Sequence, residues 1–310
     1  MALPTRTLGR TGLEVTSLGY GAMELRGAPR GREVSSADAG RILNAVLDSG
    51  INFIDTSVDY GASEEFIGAH ISGRRDEYFL ASKCGCPVGW ERPADWEGPG
   101  PHIFTRENVI AGVEQSLRRM RTDHLDVVQV HISPSQQVLE EGGVVEAMKD
   151  LQTQGKVRFL GMSGTVPHLA DHIAMGVFDV FQIPYSAVER EHEDLVTKAA
   201  EAGAGVLVRG GAARGAMADD KGRDNAYAET RWDAWQRAGL DDLLDGMTRM
   251  EFTLRFTASH PSMSTNIVGT LNPDHLARNV AAQEAGALPP DLYAEAKRHL
   301  ADAGVAPVSA

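Results

Sequence analysis

Short apolar runs alternate with amphipathic stretches along most of the chain, regularly enough to be numbered as elements. Thr7-Leu8-Gly9-Arg10-Thr11-Gly12-Leu13-Glu14-Val15 predicts a small hairpin with a glycine turn, and Val15 to Gly21 predicts the first core strand. Ser35 and Ser36 stand where a helix cap belongs, helical spacing runs to Leu47, and Gly50 is placed to stop it. A strand ending at Phe53-Ile54-Asp55 follows, then a helix over 63–71, a strand from Tyr78 to Lys83, a helix over 107–121 capped by Thr105, and a strand from Val127 to His131. The run Arg118-Arg119-Met120-Arg121 reads as a solvated last turn favoured by the helix dipole. The second half keeps the beat, with helices over 144–154, 168–175 and 193–202 before strands over 157–162, 180–183 and 205–208. A long helical region from Trp232 to Ser259 leads to a strand over 266–268, and helices from Pro273 and Asp291 close the chain.

Eight core strands with helices between them demand a parallel sheet, and eight strands can close one. The expectation is therefore an α/β chain forming a single (β/α)8 TIM barrel domain over 1–310, with an N-terminal hairpin and long mouth loops. An open doubly wound sheet is the rival, and the lack of a Gly-x-Gly-x-x-Gly turn after the first strand counts against it. Composition narrows the classes further. A hydrophobic share of 42% suits a soluble globular chain, and 30 basic against 43 acidic residues argue against nucleic acid or anionic membrane as a partner. No apolar run reaches the roughly 20 residues a membrane helix needs, and Met1 to Arg6 lacks the apolar core of a secretory signal. Two cysteines are too few for a disulfide framework, so the cytoplasm is the expected setting.

Chemistry in a barrel belongs at the C-terminal ends of its strands. Asp55, Lys83 and His131 fall at three such ends, and Tyr60 follows Asp55 by five residues, on a loop that can swing back over the same tip. Singly, each has a bland explanation as a helix cap, a surface charge or a satisfied core histidine. Jointly, an acid, a phenol, an amine and an imidazole on successive strands outline a proton-transfer site.

These four residues, with Leu18-Gly19-Tyr20-Gly21-Ala22-Met23, Gly161-Met162-Ser163, Gln182-Ile183-Pro184-Tyr185 and Ile267-Val268-Gly269-Thr270 through Arg278-Asn279, resemble the aldo-keto reductase superfamily over nearly the whole chain. The resemblance implies a barrel that binds a nicotinamide dinucleotide without a Rossmann fold and reduces an aldehyde or ketone, or runs the reverse reaction. It implies Tyr60 as general acid/base, Lys83 lowering the phenol's pKa from its free value of about 10, Asp55 holding Lys83, and His131 aligning the carbonyl. A small-molecule carbonyl or alcohol is then the partner, and no metal is called for. Potassium-channel β-subunits are similar to this family too, so a partner-binding subunit is the alternative.

The resemblance also implies cofactor contacts at Gly21, Ala22 and Met23, at Asp55, at Ser163 and Gln182 on the carboxamide, and at Tyr185 stacked under the nicotinamide. Gly164 replaces the asparagine expected after Ser163. Gly210, Gly211 and Gly215 let backbone approach a pyrophosphate, with Arg209 and Arg214 adding charge. Gly269, Thr270, His275, Arg278 and Asn279 fall at the adenosine end. Leu271 and Arg278 depart from a pattern in which several members carry a basic or polar residue and an acid. Arg278 with Arg209 or Arg214 favours a 2′-phosphate and hence NADP(H), with NAD(H) possible. Trp90, Trp96 and Trp232, with Met23, are candidate substrate walls or anchors for long loops. Cys84 and Cys86 are half a zinc site without a matching pair, and read as wall or loop residues.

Overall fold

The runs read as core strands pair edge to edge and close on themselves. This computed structural model describes residues 2–28, 31–90, 100–220 and 225–308. Among them, β1 (Thr5–Thr7) and β2 (Glu14–Thr16) form an antiparallel hairpin. The remaining strands are β3 (Leu18–Gly21), β4 (Phe53–Asp55), β5 (Phe79–Cys84), β6 (Leu125–Val130), β7 (Val157–Ser163), β8 (Val180–Pro184), β9 (Gly205–Arg209) and β10 (Thr265–Val268). They pair in parallel and in chain order, and β10 returns to β3 to close a (β/α)8 barrel.

Helices cover the outside: α1 (Ser36–Asp48), α2 (Ser63–His70), α3 (Arg106–Met120), α4 (Gln136–Glu141), α5 (Val144–Thr153), α6 (Leu169–Ala174), α7 (Glu193–Glu201), α8 (Ala226–Arg237), α9 (Arg249–Ala258), α10 (Pro273–Glu284) and α11 (Pro290–Asp302). The caps fall where the sequence put them: Ser35 and Thr105 accept the amides of Asp38 and Asn108. No helix among the described residues is long and apolar enough to cross a membrane.

Strand parity sorts the lumen into layers, because alternate side chains point to opposite faces. Phe53, Ala81, Val127, Val180, Leu207 and Ile267 pack with Leu8, Leu13 and Val15 of the hairpin in one buried cluster. The hairpin thus stops the N-terminal end. Gly9 is fitted closely there: its φ is +50°, and a Cβ would stand 2.1 Å from the Gly205 nitrogen. Two residues further along five of these strands lie Asp55, Lys83, Gln129, Gln182 and Arg209. An apolar floor is therefore followed, one step toward the mouth, by a polar layer.

Several boundaries differ from expectation. The first core strand begins at Leu18, because Glu14–Thr16 pairs into the hairpin instead. The long helical region breaks into α8, a 3-10 turn over Leu240–Leu243 and α9, since Gly239, Asp245 and Gly246 take left-handed backbone at φ +61°, +45° and +82°. Arg119 is only half-exposed, donating to the Val58 carbonyl at 3.1 Å and reaching Glu64 at 3.5 Å.

Candidate active site

Asp55 ends β4 facing the lumen, and its carboxylate is fully engaged. Oδ2 accepts the Lys83 ammonium at 2.6 Å, while Oδ1 accepts the amides of Gln129 and Gln182, each at 2.8 Å. Lys83 also donates to the Thr56 carbonyl at 2.7 Å. One carboxylate so ties β5, β6 and β8 to β4. Gly161 of β7 makes room for this, because a Cβ there would meet the Gln129 side chain at 2.8 Å. Lys83 is 1% exposed and Asp55 2%. Burial works to strip the lysine of its proton, but Asp55 and Tyr60 outweigh it and leave the pKa raised.

Tyr60 rides the loop that leaves β4. Gly61 sets the loop's path: its φ is +48°, and a Cβ would lie 2.1 Å from the Arg26 carbonyl oxygen. Arg119 holds the Val58 carbonyl, and Ser57 donates to Asp59 at 2.6 Å. The Lys83 nitrogen lies 4.9 Å from the Tyr60 ring centroid. Burial raises the phenol's pKa, and Lys83 opposes that rise without cancelling it. The net shift is upward, against the lowering expected from the sequence, because desolvation exceeds the pull of the ammonium.

His131 stands one residue past β6, edge-on to Tyr60 with ring centroids 6.2 Å apart. Burial, opposed by Asp59 and reinforced by Lys83, His102 and Arg209, pushes its pKa down to about 3. Its imidazole is neutral at ordinary pH and can donate one hydrogen bond. A neutral imidazole, a protonated phenol and an ammonium thus share one mouth, an arrangement able to polarise a carbonyl and deliver a proton.

The other predicted residues divide. Ser163 donates to Gln182 at 3.2 Å, so the structure brings these two together beside Asp55. Gly21 pairs with Asp55 in register, Ala22 is buried, and Met23 is half-buried on the 3-10 turn that follows. Tyr185 is a correction. Parity turns it away from the lumen, where its hydroxyl meets that of Tyr293 at 2.9 Å and its ring packs on Phe256 and His260. Its exposure is 0%, so it offers no face to a nicotinamide. Arg209 occupies the lumenal position instead, close enough to Tyr60 and His131 to perturb their charge states. It therefore does not reach the adenosine end, where the sequence had paired it with Arg278. Gly164 takes the asparagine's place, and a Cβ there would stand 2.7 Å from the tip of the Leu169 side chain.

Beyond β9 the loop carries Gly210 and Gly215 at φ +73° and +76°, with Gly211 pressed against Asn266. The Arg214 and Arg231 guanidinium carbons lie 4.3 and 3.8 Å from the Tyr227 ring centroid. Glu189 accepts the Tyr227 hydroxyl at 2.9 Å and pairs with Arg231 at 3.1 Å. Near β10, Gly269 could not carry a side chain, since a Cβ would sit 2.4 Å from the Gly21 oxygen. Thr270 receives the Asn272 amide and Asn279 is buried. Asp220 pairs with His275 at 3.0 Å and with Arg278 at 4.0 Å. That acid stands beside the arginine read as favouring a 2′-phosphate. Trp90 packs against Gly100, Trp232 lies under Arg249, and Trp96 falls outside the described residues.

The sequence model of the Aldo/keto reductase family matches residues 17–301. The chain belongs to that family. Among solved structures, the holo form of aldo-keto reductase AKR11C1 from Bacillus halodurans superposes with a TM-score of 0.84 at 27% identity, covering 99% of this chain and 98% of the other. The uncharacterized oxidoreductase YqkF of Bacillus subtilis is 25% identical over 90% of this chain and 91% of its own. L-Galactose dehydrogenase of Arabidopsis thaliana is 26% identical over 89% and 87%. An aldo-keto reductase is an oxidoreductase that uses a nicotinamide cofactor and small carbonyl substrates.

Sequence reasoning passed over Gln129, Asp59, Glu189, Tyr227, Arg231 and His102. Gln129 left a signal, a lone amide among the valines of β6 with the lumenal parity of Val127 and His131. The others sit on loops, where no period marks a direction, or on the part of α8 that precedes the helix read from Trp232.

Proposed function

We propose that this aldo-keto reductase reduces an aldehyde or ketone to an alcohol, or runs the reverse reaction, with Tyr60 as general acid and base. The buried Asp55–Lys83 pair with Tyr60 above the ammonium carries this reading. Its cost is accounted for if the ammonium serves the phenol, since a buried ion pair is weak evidence of stability alone.

The donor set at the mouth fits the dinucleotide. Arg209, Arg214 and Arg231 gather around Tyr227 with Glu189 among them, an excess of positive charge that a diphosphate complements. When bound, the reduced nicotinamide supplies the hydride. Every other task falls to the chain. Ser163 and Gln182 present hydroxyl and amide groups to the carboxamide. His131, held neutral, donates to the substrate oxygen and fixes its angle. Tyr60 passes its proton to that oxygen as negative charge develops, and Lys83 stabilises the phenolate left behind. Asp55 keeps Lys83 charged and in place. In the reverse direction the phenolate takes the proton back.

At the adenosine end, Arg278 and His275 flank Asp220, two donors to one acceptor. A 2′-phosphate brings more charge to those donors than Asp220 does, which favours NADP(H) over NAD(H).

The test is turnover. Purified protein with NADPH or NADH and a panel of aldehydes, followed at the nicotinamide absorbance, is expected to show reduction. Tyr60→Phe is expected to lower it by about 10²-fold or more while leaving cofactor binding intact. Near-normal turnover in that variant removes Tyr60 from the role. Tight cofactor binding without turnover of any aldehyde would fit the partner-binding alternative instead.

A further inference from the structure

The mouth also holds a cluster that hydride transfer does not use in full. Cys86 Sγ lies 3.1 Å from His131 Nδ1 and 3.7 Å from His102 Nε2, and the two nitrogens are 3.3 Å apart. A tetrahedral zinc ion with bonds of about 2.3 Å to sulfur and about 2.05 Å to nitrogen holds its nitrogens about 3.3 Å apart and its sulfur about 3.5 Å from each. The observed triangle departs from that figure by less than about half an ångström.

Two further features belong to a metal site. His102 Nδ1 lies 2.9 Å from the Gly100 carbonyl oxygen, which can only accept. Nδ1 therefore carries the proton and Nε2 turns its lone pair into the cluster, the arrangement by which an outer partner orients a ligating histidine. The backbone then holds both limbs of the loop together. Ile103 donates to the Gly85 carbonyl at 2.7 Å, and the Asn108 amide donates to the carbonyls of Cys86 and Ile103 at 3.1 and 2.8 Å. Cys84, two residues earlier, faces the outer core and takes no part. The second pair of ligands that the sequence lacked near the cysteines is thus supplied by histidines.

We propose that Cys86, His102 and His131 form a site for a thiophilic divalent transition-metal ion, zinc above all, and that the bound ion silences the enzyme by fixing His131 in the cluster and closing the mouth beside Tyr60. Binding releases the thiol proton to solvent and leaves a thiolate on the ion. Three protein ligands leave the fourth position open, and Asp59 Oδ1, 3.7 Å from His131 Nδ1, is near enough to bond a water there. The silencing rests on the hydride-transfer reading; the binding does not.

Cobalt(II) serves as the spectroscopic probe, added to chelator-treated full-length protein. One equivalent is expected to give a thiolate-to-metal charge-transfer band and tetrahedral ligand-field bands, displaced by zinc. Cys86→Ser should abolish the charge-transfer band, and His102→Ala should weaken binding at least tenfold. Zinc is then expected to stop aldehyde reduction and a chelator to restore it, each variant being compared with its own chelated rate. His102→Ala should need at least tenfold more zinc. Absence of the charge-transfer band in wild type, or its survival in Cys86→Ser, overturns the site. Stoichiometric binding with undiminished turnover overturns the silencing. A chain that binds cobalt as described yet reduces no carbonyl keeps the site and defeats the hydride-transfer reading.

Discussion

A lysine side chain sealed from water ordinarily gives up its proton, and Lys83 keeps its own because Asp55 is 2.6 Å away. The same ammonium opposes the rise that burial imposes on the Tyr60 phenol. Lys83→Met removes that opposition, so the phenol's pKa moves further up. The alkaline limb of the reduction profile, where the acid loses its proton, is expected to move to higher pH, and alcohol oxidation, which needs the phenolate, to slow at neutral pH. Profiles of kcat/KM in both directions check this, with circular dichroism as a control, since an abandoned buried carboxylate costs about 3–5 kcal/mol. An unchanged profile at full activity leaves Lys83 a purely structural residue. Arg278 poses a separate question, because Asp220 stands at 4.0 Å. Arg278→Ala is expected to erode any preference for NADPH over NADH, and Asp220→Asn to sharpen it. Dissociation constants for the two reduced cofactors in the three proteins decide, and tighter NADH binding in wild type would end the NADP(H) assignment.

At the scale of elements, the loop from Thr56 to Gly61 places the phenol, and Gly61 fixes how it returns to the barrel. Gly61→Ala forces a side chain onto left-handed backbone and against the Arg26 carbonyl. The expected cost is about 1–3 kcal/mol, together with a loss of turnover from a displaced Tyr60; denaturant unfolding and kcat measure the two. Normal stability and turnover would mean that the loop can take another path. This element was well marked in the sequence, as were the strand order and the helix caps, because polarity periods and cap residues are local signals. Parity was equally legible and explains the error at Tyr185: it lies three residues past Gln182 and so on the opposite face from Gln182's lumenal side chain. What lay beyond the sequence was distance across loops. His102 meets His131 from 29 residues away, and Asp220 meets His275 from 55, on segments with no period to point them. The helical region after Trp232 broke because Gly239 and Gly246 adopt left-handed turns that an amphipathic pattern does not reveal.

For the molecule as a whole, the hairpin is as much a part of the barrel as its staves. Leu8 is 0% exposed and joins the lumenal floor with Leu13 and Val15. Leu8→Ala is expected to cost about 2–5 kcal/mol while leaving kcat close to wild type, because the floor lies below the polar layer. Guanidinium unfolding alongside steady-state kinetics tests the separation, and an equal loss of both would show that the floor supports the site directly. The stopped end has a further consequence for traffic. With the floor packed shut, whatever reacts must enter and leave by the same opening. A spent molecule backs out along the path its successor needs, so departure and arrival compete for one doorway, and a slow leaver sets the pace of the queue.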